Sequence, residues 1–220
     1  SIRLTIIFLF LNLPPKIVSP TLISIVIISF NTEMSSNLPS SRRIILVKGY
    51  TRFVGLADIA LHSLAQVGNE ISDFEIVVYS TDPKTRRIIK RLKRTTNLNI
   101  RAIAKHGMTH EQMLQLFSSA RIYIGISRSD GISTSLLEAM STGCFPIQTS
   151  TSCASEWVTD GLSGFLVDHK VTKQIASAIR EAVVNDSLVD NAAELNRATA
   201  RARLRTSVIS EKNQSFYETS

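Results

Sequence analysis

Between residues 42 and 205 short apolar runs alternate with longer segments of helical spacing, and no other feature of the chain restricts its fold so tightly. A short apolar run bounded by turn residues suits a buried strand, whereas apolar residues recurring at helical intervals suit an amphipathic helix. On this basis strands fall at 44–47, 74–79, 100–104, 121–126, 145–148 and 164–167. Helices fall between them at 56–67, 83–92, 110–119, 133–141 and 154–158, and two more, at 173–184 and 188–203, close the chain. Gly68-Asn69 ends the first helix. Thr109 with Gln112 forms a capping box ahead of the third, because the hydroxyl and the amide satisfy backbone donors left open there. Strands alternating with helices at this spacing require right-handed crossovers, and so an α/β fold with a parallel, doubly wound sheet.

Composition sets the class. Apolar residues at 44% and charged residues at 20% describe a globular chain and exclude a disordered one. The formal net charge of +7 draws the chain toward polyanions without choosing one. Its basic stretches, Arg42-Arg43, Arg86 to Arg94 and Arg197 to Arg205, read as solvated faces, and no nucleic-acid partner is expected. Cys144 and Cys153 lack metal-ligand or disulfide spacing and read as reduced, buried residues of a cytosolic protein. No His/Cys cluster or Asp-x-Asp pair points to a metal.

Residues 2–13 and 17–30 are apolar runs separated by Pro14-Pro15-Lys16. Each is shorter than the roughly 20 residues of a spanning helix. No alanine precedes Ala57, which removes the small-residue cleavage site of a secretory signal. Three readings stay open for residues 1–30: buried strands or the remnant of a preceding domain, a membrane or interfacial contact, and a signal. Residues 31–41 read as a linker, and 206–220 as a C-terminal tail or helix.

In an open parallel sheet, ligands sit beyond the carboxyl ends of the strands, so the informative loops open at Lys48, Ser80, Lys105, Ser127 and Thr149. The richest is Ser127-Arg128-Ser129-Asp130-Gly131-Ile132-Ser133-Thr134-Ser135, which runs straight into a helix carrying Glu138. A small-residue turn feeding a helix start presents backbone N–H groups and a partial positive charge, which suits a phosphate or pyrophosphate. An ordinary Ser/Thr-capped helix is the alternative.

The segment from Asp130 through Glu138-Ala139-Met140, Gly143 and Pro146 to Ile147 resembles the signature of family-four retaining glycosyltransferases (glycosyltransferase group 1). That signature is an acidic residue, seven residues, a glutamate, Ala-Met, then a Gly and a Pro before an apolar strand. Glu156 to Val167 resembles the segment that follows it in the family. The likeness covers about residues 42–205 and implies a Rossmann-like parallel sheet flanked by helices, equivalent to the C-terminal, donor-binding half of a GT-B enzyme. It implies that Glu138 hydrogen-bonds the ribose of a nucleotide, and that Asp130, where the family usually has Glu, sits by the donor sugar. The backbone of Gly131, Ile132, Ser133 and Thr134 would cradle the diphosphate, with Ser133 standing where many members have Gly. His106 lies in the loop that frames the base in such enzymes. The family commonly has an Arg and a Lys after the first strand. Here Tyr50 and Val54 occupy the nearest places, which leaves Lys48 and Arg52 to stabilise the departing diphosphate.

The implied activity is transfer of a hexose or related sugar, with retention, from a nucleoside diphosphate sugar to a surface glycan or lipid-linked acceptor. No metal and no cofactor beyond the donor substrate are expected. The implied location is cytoplasmic, with peripheral contact at the inner membrane face as an open reading. Such enzymes hold the acceptor mainly on a preceding Rossmann-like N-terminal domain, which is missing from these 220 residues. The expectation is therefore weak nucleotide binding and little transfer by this chain alone, since a donor half leaves its cleft open to water. Two other readings remain: a catalytically degenerate nucleotide-binding or interaction module, favoured by the missing Arg/Lys pair, and a membrane-attached fragment.

Overall fold

A computed structural model of the chain describes residues 37–51, 55–129 and 133–204. In chain order the elements are β1 (Ile44–Lys48), α1 (Ala57–Gln66), β2 (Glu75–Thr81), α2 (Pro83–Thr95), β3 (Asn99–Ala104), α3 (His110–Ser119), β4 (Ile122–Gly125) and α4 (Thr134–Thr142). They continue with β5 (Phe145–Thr149), β6 (Phe165–Val167), α5 (Thr172–Val184) and α6 (Asp186–Leu204). A 3-10 turn, Ser152–Glu156, stands where the sequence predicts a short helix at 154–158.

The strands pair in the order β3-β2-β1-β4-β5-β6, every pair parallel. From β1 the chain steps outward to β2 and β3, returns past β1 to β4, and then steps the other way. β1 and β4 are therefore neighbours whose onward connections leave to opposite sides, which opens a crevice at their carboxyl ends.

Strands covered on both faces read as continuous apolar runs, and that is why the sequence announced them so clearly. On one face Ile45, Val47, Ile76 and Ile124 pack with Leu61 and Leu64 of α1 and Ile175 and Ile179 of α5. On the other, Leu46, Val77, Tyr79 and Tyr123 pack with Phe117 of α3 and Leu136 and Met140 of α4. α6 serves both layers, Val189 and Ala192 entering the first and Ala200 and Leu204 the second. Among the described residues no helix is long and apolar enough to cross a membrane.

Three expectations change. Residues 37–41, read as part of a linker, carry a 3-10 turn at Pro39–Ser41 that is tied to α6: Ser40 donates to Asp190 from its amide (2.9 Å) and its hydroxyl (2.7 Å). Arg42 is not on a solvated face but only 6% exposed. Its guanidinium donates to the carbonyls of Asn37, Ala120 and Thr142, and burial lowers its pKa from the usual arginine value. Pairing of β1 between β2 and β4 draws this side chain beneath the sheet, where helix-end carbonyls need donors. Cys144 is fully buried, and burial pushes its thiol far up, whereas Cys153 is only partly covered.

Candidate functional site

Three loops meet beyond the carboxyl ends of β1, β4 and β5. The Leu56 N–H donates to the Ile126 carbonyl at 3.0 Å and Gly55 bridges to Ser127, which stitches the loop after β1 to the loop after β4. Thr149 Oγ1 accepts from the Ser127 N–H at 3.2 Å, joining the loop after β5 to the same floor. Gly125 ends β4 because a Cβ there would overlap the Gln148 amide oxygen and the Tyr123 hydroxyl.

Lys48, the last residue of β1, crosses to α4. Its Nζ donates to Ser133 Oγ at 3.1 Å and lies 5.3 Å from the centroid of the Tyr50 ring. Ser133 is the N-cap of α4 and 3% exposed, yet its side chain makes no capping hydrogen bond to the helix. Thr134 and Ser135 thus begin α4 without a side-chain cap. An ammonium group and the positive end of a helix dipole come together at the switch point, which is the chemistry of an anion cradle.

One turn along α4, Glu138 is 8% exposed, a buried carboxylate rather than a solvated helix residue. His110, the first residue of α3, places Nδ1 3.7 Å from Glu138 Oε1. Beneath lies Tyr79, whose phenol is pushed well above its ordinary pKa, first by burial and then by Tyr123, with Glu138 adding to it.

Asp82 pins the loop that follows Lys48. One carboxylate oxygen caps α2 by accepting the Thr85 N–H at 2.7 Å, and the other accepts the N–H and hydroxyl of Thr51, both at 2.8 Å. Burial pushes this carboxyl up, but the hydrogen bonds from Thr85 and Thr51 outweigh it and bring the pKa down to about 2.

Of the residues singled out from sequence, Lys48, Ser133, Thr134 and Glu138 stand together at one end of the sheet. His106 sits in an exposed turn after edge strand β3, in the left-handed conformation (φ 63°). Arg52, Asp130, Gly131 and Ile132 lie outside the described residues. Sequence reasoning passed over His110 and Asp82. Signals for both existed: the capping box puts His110 at the first helical position, and Asp82-Pro83 is an N-cap followed by a helix-starting proline.

The profile of the glycosyl transferases group 1 family matches residues 42–185, well over half of the chain. The chain belongs to this family. Among solved structures, this group 1 glycosyltransferase chain is similar to a variant of TarM from S. aureus, in a complex that includes UDP. The TM-score is 0.71 at 17% identity, over 84% of this chain and 37% of TarM. It is similar to the C-terminal domain of LpcC, a group 1 family protein from Francisella tularensis, with a TM-score of 0.65 at 17% identity, over 74% of this chain and 86% of that one. HepE from Anabaena, in complex with UDP and glucose, gives a TM-score of 0.65 at 17% identity, over 92% of this chain and 52% of HepE. At such identities the likeness establishes the fold, the Rossmann-like C-terminal domain of GT-B glycosyltransferases. The chain spans well under two thirds of TarM and HepE. No curated protein matches at a significant level.

Proposed function

We propose that this chain is the donor-binding domain of a retaining glycosyltransferase, which moves a sugar from a nucleoside diphosphate sugar to a glycan or lipid-linked acceptor held by a further domain. The observation that carries the reading is the meeting of Lys48 with Ser133 at the start of α4, one turn from the buried carboxylate of Glu138. In the reaction the bond from the sugar's anomeric carbon to the diphosphate breaks, and the acceptor oxygen bonds that carbon from the same face. The acceptor proton passes to the departing diphosphate. Charge on the leaving group grows as the bond breaks, so fixed positive groups there lower the barrier, and no metal is invoked. Lys48 and the start of α4 at Ser133 and Thr134 supply that charge, and the backbone of Gly131 and Ile132 is proposed to join them in cradling the diphosphate. Arg52 is proposed as a second cation, Asp130 as the group beside the donor sugar, and Glu138 as acceptor of the ribose hydroxyls. His106 is proposed to border the base.

Calorimetric titration with UDP, GDP, ADP and CMP tests this. One nucleoside diphosphate binds; Glu138→Ala abolishes that binding, while Lys48→Met weakens the diphosphate about tenfold, leaving the parent nucleoside unaffected. That is the worth of one charge-assisted contact. Absence of binding by all four at millimolar concentration would reduce the chain to a degenerate relative of the family.

A second reading, contact with an anionic membrane surface, is favoured by α2. This helix carries seven lysines and arginines and no acid, while the rest of the chain holds 18 of each sign. Thr85, Ile89 and Leu92 dock it on the sheet, and every cation is exposed. Lys84 pairs with Asp58 at 3.0 Å and Arg86 donates to the Thr81 carbonyl at 2.9 Å. Each cation held near an anionic bilayer contributes about 1 kcal/mol. Flotation with phosphatidylglycerol vesicles, lost on reversing Lys90, Arg91 and Arg94 to Glu, is the expected result. Equal flotation of parent and variant would refute it.

A further inference from the structure

We infer that His110 is a positioning residue for the Glu138 carboxylate, and that it sets the domain's preference for ribose over deoxyribose in the nucleotide. The inference rests on the proposed role of Glu138 in binding ribose. Glu138 projects from α4 and His110 from the first turn of α3, with Nδ1 3.7 Å from Oε1. That distance is longer than a hydrogen bond, and a small turn of either side chain brings an N–H at Nδ1 onto Oε1, so the imidazole biases where that oxygen points. The His110 side chain is 24% exposed and that of Glu138 10%, so the imidazole stands at the rim of the site with the carboxylate more covered behind it.

His110 is itself held still. Thr109 caps α3 by accepting the Gln112 N–H at 3.2 Å, and the Gln112 side chain accepts the Thr109 N–H at 2.9 Å. A reciprocal cap fixes the first turn of the helix and with it the exit direction of the His110 side chain. A carboxylate that accepts two vicinal hydroxyls has to present its oxygens in one plane. Anchoring Oε1 from the side fixes where Oε2 points before the ligand arrives, so less ordering is left to be done on binding. A ligand lacking a hydroxyl gains little from that arrangement and leaves a buried acceptor unmatched.

The test compares UDP, GDP and ADP with dUDP, dGDP and dADP by calorimetry on the full chain. Wild type is expected to prefer the ribose form of its nucleotide by about tenfold, the scale of one hydrogen bond to a charged group. His110→Ala narrows that preference to about threefold or less with little change in affinity for the deoxy form. His110→Asn, whose side-chain amide nitrogen overlies Nδ1, restores most of it. His110→Phe fills the ring volume without a donor and behaves like the alanine variant, which covers the case in which the smaller side chain disturbs folding. If His110→Ala and His110→Phe weaken both forms equally and keep the preference, the inference is overturned while the donor site stands. If wild type binds no nucleoside diphosphate, or does not discriminate between the sugars, the role given to Glu138 falls and this inference falls with it.

Discussion

Asp82 offers its two carboxylate oxygens to two different parts of the chain, so two substitutions separate what each holds. Oδ1 accepts from the Thr85 N–H and caps α2, while Oδ2 takes the N–H and hydroxyl of Thr51 in the loop after β1. Asp82→Ala removes all three bonds. Loss of an N-cap costs about 1 kcal/mol, and each further bond about 1 kcal/mol net of water, giving roughly 2–3 kcal/mol. Asp82→Asn keeps a carbonyl oxygen for Thr85 but turns an NH₂ toward the Thr51 N–H, donor against donor. It loses the loop and keeps the cap, a cost of roughly 1–2 kcal/mol. The pH dependence follows from the carboxyl's depressed pKa of about 2 against an ordinary 3.8. Because the folded value lies below the unfolded one, the contribution is complete above pH 3.8 and is lost as pH falls toward 2. At face value the shift is worth about 2 kcal/mol, and solvent access reduces that to about 1 kcal/mol. Urea unfolding followed by circular dichroism, at neutral pH and through the acid range, measures both effects provided the slope m is unchanged. Equal costs for the two substitutions, or an acid limb as steep in Asp82→Asn as in the parent, would refute the two-sided anchor.

Gly125→Ala is expected to destabilise the domain by about 1–3 kcal/mol, because its Cβ has to displace the buried Gln148 amide and the Tyr123 hydroxyl; a thermal melt within a degree of the parent would contradict this. Arg121 is fully buried at the start of β4 and donates to the carbonyls of Ala182 (2.9 Å) and Ser40 (2.6 Å), with Asp186 at 2.7 Å. Arg121→Met relieves the desolvation of one charge but strands both carbonyls, so a net loss of about 2–4 kcal/mol is expected in chemical unfolding. A gain in stability would show that the desolvation term wins.

Most of the fold is legible in the linear sequence because it is written in local chemistry. The inner strands β1, β2, β4 and β5 carry apolar runs because both their faces are covered, edge strand β3 leaves Asn99, Arg101, Ala102 and Ala104 exposed, and each predicted strand lies within a few residues of an observed one. The Thr109-Gln112 box forms as read, because both partners lie within one helical turn. Boundaries shift where tertiary packing extends an element, as α6 reaches from Asp186 to Leu204 beyond the predicted 188–203. The site is less legible. Arg42 reads as a surface charge until its environment is known, and His106 draws attention over His110 because its loop after β3 resembles the one that frames the base in the family.

By itself, then, the sequence determines the alternation of elements, the loop leading into α4 and the group 1 glycosyltransferase signature around Glu138. Tertiary structure decides which of those elements meet. Lys48 reaches Ser133 across 85 positions of chain because β1 lies beside β4, and a strand order is a global property that no local window contains. Asp82 meets Thr51, and His110 meets Glu138, for the same reason: each contact joins consecutive crossovers whose relative placement is fixed only when the sheet has closed its core.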